Sequence, residues 1–188
     1  MEQKLYDTVT DCPVIAAIKD DAGLERCLDS DIQIVFVLYG DIVSIPEIVD
    51  RIKKKGKLAM VHADLISGLA GKEIAIDFLK RNTQADGIIS TKLSFIKRAK
   101  ELGMATVFRF FVIDSMALEN IQKQTAAVMP DVVEILPGLM PKMIRKIRKS
   151  IRRPLIAGGL ISDKEDIMAA LDAGAVAVST TKEPVWFM

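Results

Sequence analysis

The chain has 188 residues, 50% hydrophobic and 27% charged, with 26 Lys and Arg against 25 Asp and Glu for a net charge of +1. That length and apolar content describe one globular domain with a sizeable core and exclude a disordered chain, and no apolar run approaches the ~20 residues of a membrane helix. The opening MEQKLYDTVT lacks the apolar stretch of an export signal. The two cysteines, Cys12 and Cys27, make no disulfide framework, so the expected compartment is a reducing cytoplasm. The single His62 leaves little material for a metal site, and a net charge near zero argues, on its face, against a nucleic-acid partner.

In chain order, the first apolar run is Val14 to Lys19, followed by a short segment, Asp20 to Leu28, compatible with a helix. A second run, Ile32 to Gly40, precedes a helix over Ser44 to Lys55, with Ile45, Ile48, Val49 and Ile52 at helical spacing and Ser44 as its N-cap. A third run, Leu58 to Asp64, leads to a helix over Lys72 to Asn82 with a stripe of Ile74, Ile76, Phe78 and Leu79. Gly87 to Thr91 is the fourth run, and the helix Leu93 to Leu102 stops before Gly103. Thr106 to Asp114, a helix over Met116 to Val128, Val132 to Pro137 and a helix over Met140 to Ile151 come next. Pro154 to Ile161 is the seventh run. A capping-box pattern, Ser162 to Glu165, opens a helix over Asp163 to Ala173, which Gly174 closes, and Ala175 to Thr181 is the eighth run.

Most of these runs are continuously apolar, as strands buried on both faces are in parallel sheets. Eight strands with intervening helices predict a (β/α)8 barrel of one domain over residues 1–188, with an open doubly wound sheet as the alternative. Only Lys182 to Met188 follow the eighth strand, so the last helix is missing or truncated. The apolar tail Pro184 to Met188 then either plugs the gap locally or forms a subunit contact in a homo-oligomer.

In such barrels, function gathers where strands end, and the loops after strands seven and eight often hold phosphate. Gly158 and Gly159 end strand seven, and Ser179, Thr180 and Thr181 end strand eight. Close-approaching backbone N–H groups and hydroxyls suit an anion, the alternative being that the two glycines only make a tight turn. Lys19, Asp64, Ser90, Lys92, Asp114 and Gly138 stand at other strand ends and can share one mouth. There Lys19 or Lys92 neutralises an anion, and Asp64 or Asp114 accepts from ligand hydroxyls, unless Asp114 is simply an N-cap. Arg109 and Glu134 lie within neighbouring strands and are expected to pair inside the barrel, as a structural ion pair or a ligand contact. His62 shares a strand face with Asp64 and reads as a core histidine.

The run KMIRKIRKSIRR, Lys142 to Arg153, holds seven basic residues and no acid, so subtracting it from the net +1 leaves −6 on the rest. On a helical wheel Lys142, Arg145, Lys146, Lys149, Arg152 and Arg153 fall opposite Met143, Ile144, Ile147 and Ile151. Such a basic face attracts a phosphate backbone by Coulomb force and counterion release, or is only a solvated helix face. RIKKKGK (Arg51 to Lys57) and KRAK (Lys97 to Lys100) are smaller clusters.

MVHADLISG (Met60 to Gly68), ADGIISTK (Ala85 to Lys92), VEILPG (Val133 to Gly138), PLIAGGLI (Pro154 to Ile161) and AGAVAVSTT (Ala173 to Thr181), in that order, resemble the glycerol uptake operon antiterminator regulators, the GlpP family. The resemblance implies a glycerol-3-phosphate-responsive regulator acting on the leader of messenger RNA, with no catalytic residues and no cofactor beyond the effector. It implies phosphate contacts at Gly158, Gly159, Ser179 and Thr180. Asp64, Ser90, Lys92 and Arg109 are candidates for the glycerol end. The RNA contact at Lys142 to Arg153 rests on charge alone. Against this stand an enzyme of phosphorylated sugars or glycerol derivatives, and a sensor whose output is a protein contact through the tail.

Overall fold

The computed structural model describes residues 2–188. Eight parallel strands, β1 (Val14–Ile18), β2 (Ile34–Val37), β3 (Leu58–His62), β4 (Gly87–Ser90), β5 (Ala105–Phe111), β6 (Val132–Leu136), β7 (Leu155–Gly158) and β8 (Ala177–Thr180), close into a barrel in sequence order. Helices α2 (Asp21–Leu28), α3 (Ile45–Lys54), α4 (Ile74–Asn82), α5 (Leu93–Glu101), α6 (Ser115–Val128), α7 (Pro141–Ser150) and α8 (Lys164–Asp172) each follow a strand, and α1 (Glu2–Asp11) precedes β1. The continuously apolar strands follow from this geometry. Ile15, Ala17, Ile34, Phe36, Met60, Ile89 and Val107 fill the barrel interior, while the alternate residues, such as Ile18, Val35 and Val61, pack outward against the helices.

The sequence reading missed α1. Leu5 and Val9, one helical turn apart, join the interior cluster beside Leu58, Ala105 and Val132 at the strand starts, so α1 closes the floor of the barrel. After β8 comes a single 3-10 turn, Glu183–Phe187. Val185 and Trp186 are buried there. Trp186 Nε1 donates to the Thr180 carbonyl at 3.0 Å and its ring packs on Gly23 of α2, so these two residues plug the gap locally. Phe187 and Met188 remain exposed.

Helix starts follow carboxylate caps. Asp20, Asp114 and Asp163 accept from the backbone N–H of Gly23, Ala117 and Asp166 at 2.8–2.9 Å. Asp114 is therefore a cap; the expected box of Ser162 with Glu165 does not form, and Asp163 is the cap instead, with Asp166 accepting from the Ser162 N–H and hydroxyl. Ser44 makes no cap bond of its own; Asp41 accepts from the N–H groups of Val43 and Ser44 instead. In α4, Ile74 is exposed, and Asp77 turns inward to pair with Arg98 at 2.6 Å.

The largest correction falls on the basic run. α7 ends at Ser150, and Ile151 is extended (φ −119, ψ 149), so Arg152 and Arg153 lie on the connection to β7 rather than on the helix face. Pro154 disfavours a helical conformation at Arg153, and the chain has left the helix before reaching it. Among the described residues, no helix is long and apolar enough to cross a membrane.

Candidate functional site

The mouth at the strand C-termini is organised by one buried ion pair. Arg109 of β5 and Glu134 of β6 are register partners, with Nε 2.6 Å from Oε2 and side chains 7% and 0% exposed. Ser179 of β8 donates to the other carboxylate oxygen, Oε1, at 2.5 Å. Gly158 makes room for this crossing. A Cβ there would lie 2.5 Å from both Glu134 Oε1 and Ser179 Oγ, so the residue serves the pair by having no side chain.

Above the pair lies a cleft of about 290 Å³, lined by Arg109, Ser179, Thr181 and Lys182, with Gly159 and Leu160 forming one wall. Gly159 (φ 75) and Leu160 (φ 64) are both left-handed. The second is unusual for a bulky residue, and backbone strain of this kind clusters at functional sites. Thr180 lines the cleft, but its hydroxyl is engaged, donating to the Ile161 carbonyl at 2.7 Å and accepting from the Lys182 N–H at 3.0 Å. Gly138 donates its N–H to the Gly159 carbonyl at 3.0 Å. Thr180 and Gly138 thus tie the loops after β6, β7 and β8 to one another.

A second group stands at the ends of β3 and β4. Asp64 accepts from Ser90 Oγ at 2.9 Å and the Thr91 N–H at 2.8 Å, and Lys92 Nζ lies 3.3 Å from its other oxygen. Burial raises the Asp64 pKa, but the bonds from Thr91 and Ser90 and the neighbouring His62 and Lys92 outweigh it, so the carboxyl sits below its ordinary value. Lys92 also stacks its ammonium 4.6 Å from the centre of the Phe95 ring. His62 is buried, with Nδ1 3.7 Å from Asp64 Oδ2 and no hydrogen-bond partner. Burial first, and the Arg109 charge second, push its pKa down to about 4, so it is neutral near pH 7. Lys19 is exposed just past the end of β1.

The mouth therefore combines cations, hydroxyls and, at His62 Nδ1, one buried polar atom without a hydrogen bond, a set suited to an anionic, hydroxylated small molecule. Sequence reasoning missed Lys182 and gave His62 only a core role. Lys182 carried a signal, because it directly follows the eighth strand.

The outer basic face is separate. Ile144 and Ile147 bury one side of α7, and Lys142, Arg145, Lys146 and Lys149 are exposed on the other. Among the described residues these four form no ion pair. The smaller clusters differ: Lys53 pairs with Asp86 at 2.6 Å, Lys54 with Asp50 at 2.7 Å, Arg51 with Glu25, and Arg98 with Asp77.

Fold and site together define a (β/α)8 barrel with a cation-lined, polar mouth and an unpaired basic helix on its flank. Residues 14–186 match the family described as glycerol-3-phosphate responsive antiterminator, and the chain belongs to that family. It is 34% identical to the glycerol uptake operon antiterminator regulatory protein of Listeria monocytogenes, whose structure superposes with a TM-score of 0.89 over 92% of this chain and 94% of that one. A glycerol uptake operon antiterminator-related protein of Thermotoga maritima is 35% identical with a TM-score of 0.81, covering 94% of this chain and 99% of that one. In sequence the chain is 51% identical over 174 residues to the uncharacterized protein YgcP of Escherichia coli, 93% of this chain and 91% of that protein. Enzymes such as an N-acetylmannosamine-6-phosphate 2-epimerase of Clostridium perfringens share the fold at 15% identity and a TM-score of 0.72.

Proposed function

We propose that this protein is a glycerol-3-phosphate-gated, RNA-binding antiterminator that acts in the cytoplasm on the leader messenger RNA of glycerol uptake genes. One observation carries the reading. β5 and β6, which hold the buried Arg109–Glu134 pair under the mouth, lead into α6 and α7, and α7 carries the unpaired basic face. A ligand that draws on Arg109 acts on the two strands from which those helices hang.

In this reading the phosphate lies in the cleft against Arg109, Lys182, Ser179 and the Gly159 loop, with Gly158, Thr180 and Gly138 holding that frame. Asp64, Ser90, Lys92 and His62 face the glycerol hydroxyls, and Lys19 adds charge at the rim. Lys142, Arg145, Lys146 and Lys149 take the RNA backbone, joined by Arg152 and Arg153 from the following connection. The effector acts only in so far as it binds the RNA-competent state better than the other state; a tenfold shift in RNA affinity requires a difference of about 1.4 kcal/mol. No turnover is assigned, since Glu134 is committed to Arg109 and Ser179.

Calorimetry with glycerol-3-phosphate, glycerol and inorganic phosphate tests the mouth, and fluorescence anisotropy with leader RNA tests the face. Saturating glycerol-3-phosphate is expected to raise RNA affinity, and the double substitution Arg145→Glu, Lys149→Glu to abolish binding. RNA affinity indifferent to both overturns the reading.

A further inference from the structure

α6 spans 14 residues, yet only Ile121 and Thr125 are buried. Between it and α7 the surface opens into a groove. A narrow part of about 200 Å³ is bounded by Leu118, Glu119, Lys146 and Ile147. Toward the barrel floor it widens to about 560 Å³ between Ala126 and Met129 on one side and Ile151 and Arg152 on the other. Gln122 and Ser150 line both parts, so the groove is continuous.

Thr125 stands in the wide part, 4% exposed, and its Oγ1 has no hydrogen-bond partner among the described residues. A threonine within a helix can satisfy its hydroxyl on the carbonyl four residues earlier, but this one does not. A buried polar atom without a partner is rare in folded proteins and marks a place where a polar partner belongs. The wide part is mixed in character, with the apolar faces of Met129 and Ile151, the amide of Gln122 and the guanidinium of Arg152. Its size falls in the range of small-molecule sites.

We infer that the α6–α7 groove takes an unpaired base of single-stranded RNA, its hydrogen-bonding edge on Gln122 and on the Thr125 hydroxyl once that buried side chain turns toward the groove, and its flanking phosphates on Lys146 and Arg152. The inference rests on the RNA reading above and deepens it. Sequence-specific RNA recognition works on splayed-out bases, whose faces lie on apolar side chains or guanidinium planes while their edges meet hydrogen-bonding groups. The cations extend along α7 well beyond the cleft, through Lys142, Arg145 and Lys149, which is more positive charge than one free nucleotide engages. Glu119 in the narrow part repels phosphate, so the backbone is held to the α7 side. Basic helices give affinity and carry no sequence information; the groove supplies it.

The test is anisotropy with short oligo(A), oligo(C) and oligo(U) RNAs over a salt series. One of the three is expected to bind about tenfold tighter than the others. The near-isosteric Thr125→Val and the exposed Gln122→Ala are each expected to cut that preference to about threefold or less, with the salt slope unchanged. Equal binding of all three RNAs by the wild type, a preference that survives both substitutions, or a mononucleotide that competes as well as the oligomer overturns the base site while leaving the RNA reading standing. Binding of none of the RNAs, leader included, overturns the RNA reading and the base site with it.

Discussion

Replacing Glu134 with Gln isolates the buried pair at the mouth. The carboxylate is fully buried, Arg109 is 7% exposed at the side chain, and their atoms lie 2.6 Å apart. Gln keeps the shape and one carbonyl oxygen but leaves Arg109 a buried cation without a counter-ion. Removing one member of a buried pair costs about 3–5 kcal/mol, and the neutral hydrogen bond that survives returns about 1 kcal/mol. The net loss of about 2–4 kcal/mol lowers Tm by roughly 5–15 °C for a chain of this size. Because Arg109 lines the cleft, an anion there offsets part of the loss. Glycerol-3-phosphate at about 100 times its Kd stabilises any binder by about 2.7 kcal/mol, and the variant should reach that gain at lower ligand concentration than the wild type. Urea unfolding followed by the single tryptophan, with glycerol-3-phosphate or glycerol present, measures both effects. A variant as stable as the wild type refutes the cost assigned to the pair. One that is destabilised but rescued no better than wild type removes Arg109 from the anion site.

Two further outcomes are expected. Folded His62 takes up its proton only near pH 4, whereas the unfolded chain does so near 6.5, so its contribution to stability is intact above about pH 6.5 and is lost as pH falls toward 4. That loss amounts to up to about 3 kcal/mol; His62→Gln should flatten it in urea titrations, and a wild-type profile matching the variant's would sink the argument. Trp186→Ala should cost about 3 kcal/mol, read by circular dichroism in urea, and a loss under about 1 kcal/mol would show that the C-terminal turn is not a structural plug.

The barrel was legible because doubly buried strands need long apolar runs, and most of the eight were continuously apolar. α1 was not, because it packs on the floor through Leu5 and Val9, too few apolar positions to give a clear period. The end of α7 carried a readable signal in Pro154, which the seductive spacing of Arg152 and Arg153 outweighed. In the mouth, Arg109 and Glu134 were legible as charges stranded on adjacent apolar strands. The division of labour around them was not. Gly158 yields space, Gly138 and Thr180 tie loops and Ser179 holds a carboxylate, and all of this depends on three-dimensional packing that residue type and spacing do not encode. Thr125 carried no signal at all, since an orphaned hydroxyl exists only once its neighbours are placed.

The ring is sealed by its first and last strands, Val14, Ile15 and Ala16 of β1 against Val178, Ser179 and Thr180 of β8. During synthesis β1 therefore keeps one edge unpaired until β8 has been made, an exposed template for mispairing. The cleft inherits the same timing, because Ser179 lies on β8 and Thr181 and Lys182 directly follow it. A chain in which β8 has not yet met β1 therefore has neither a closed barrel nor a complete cleft.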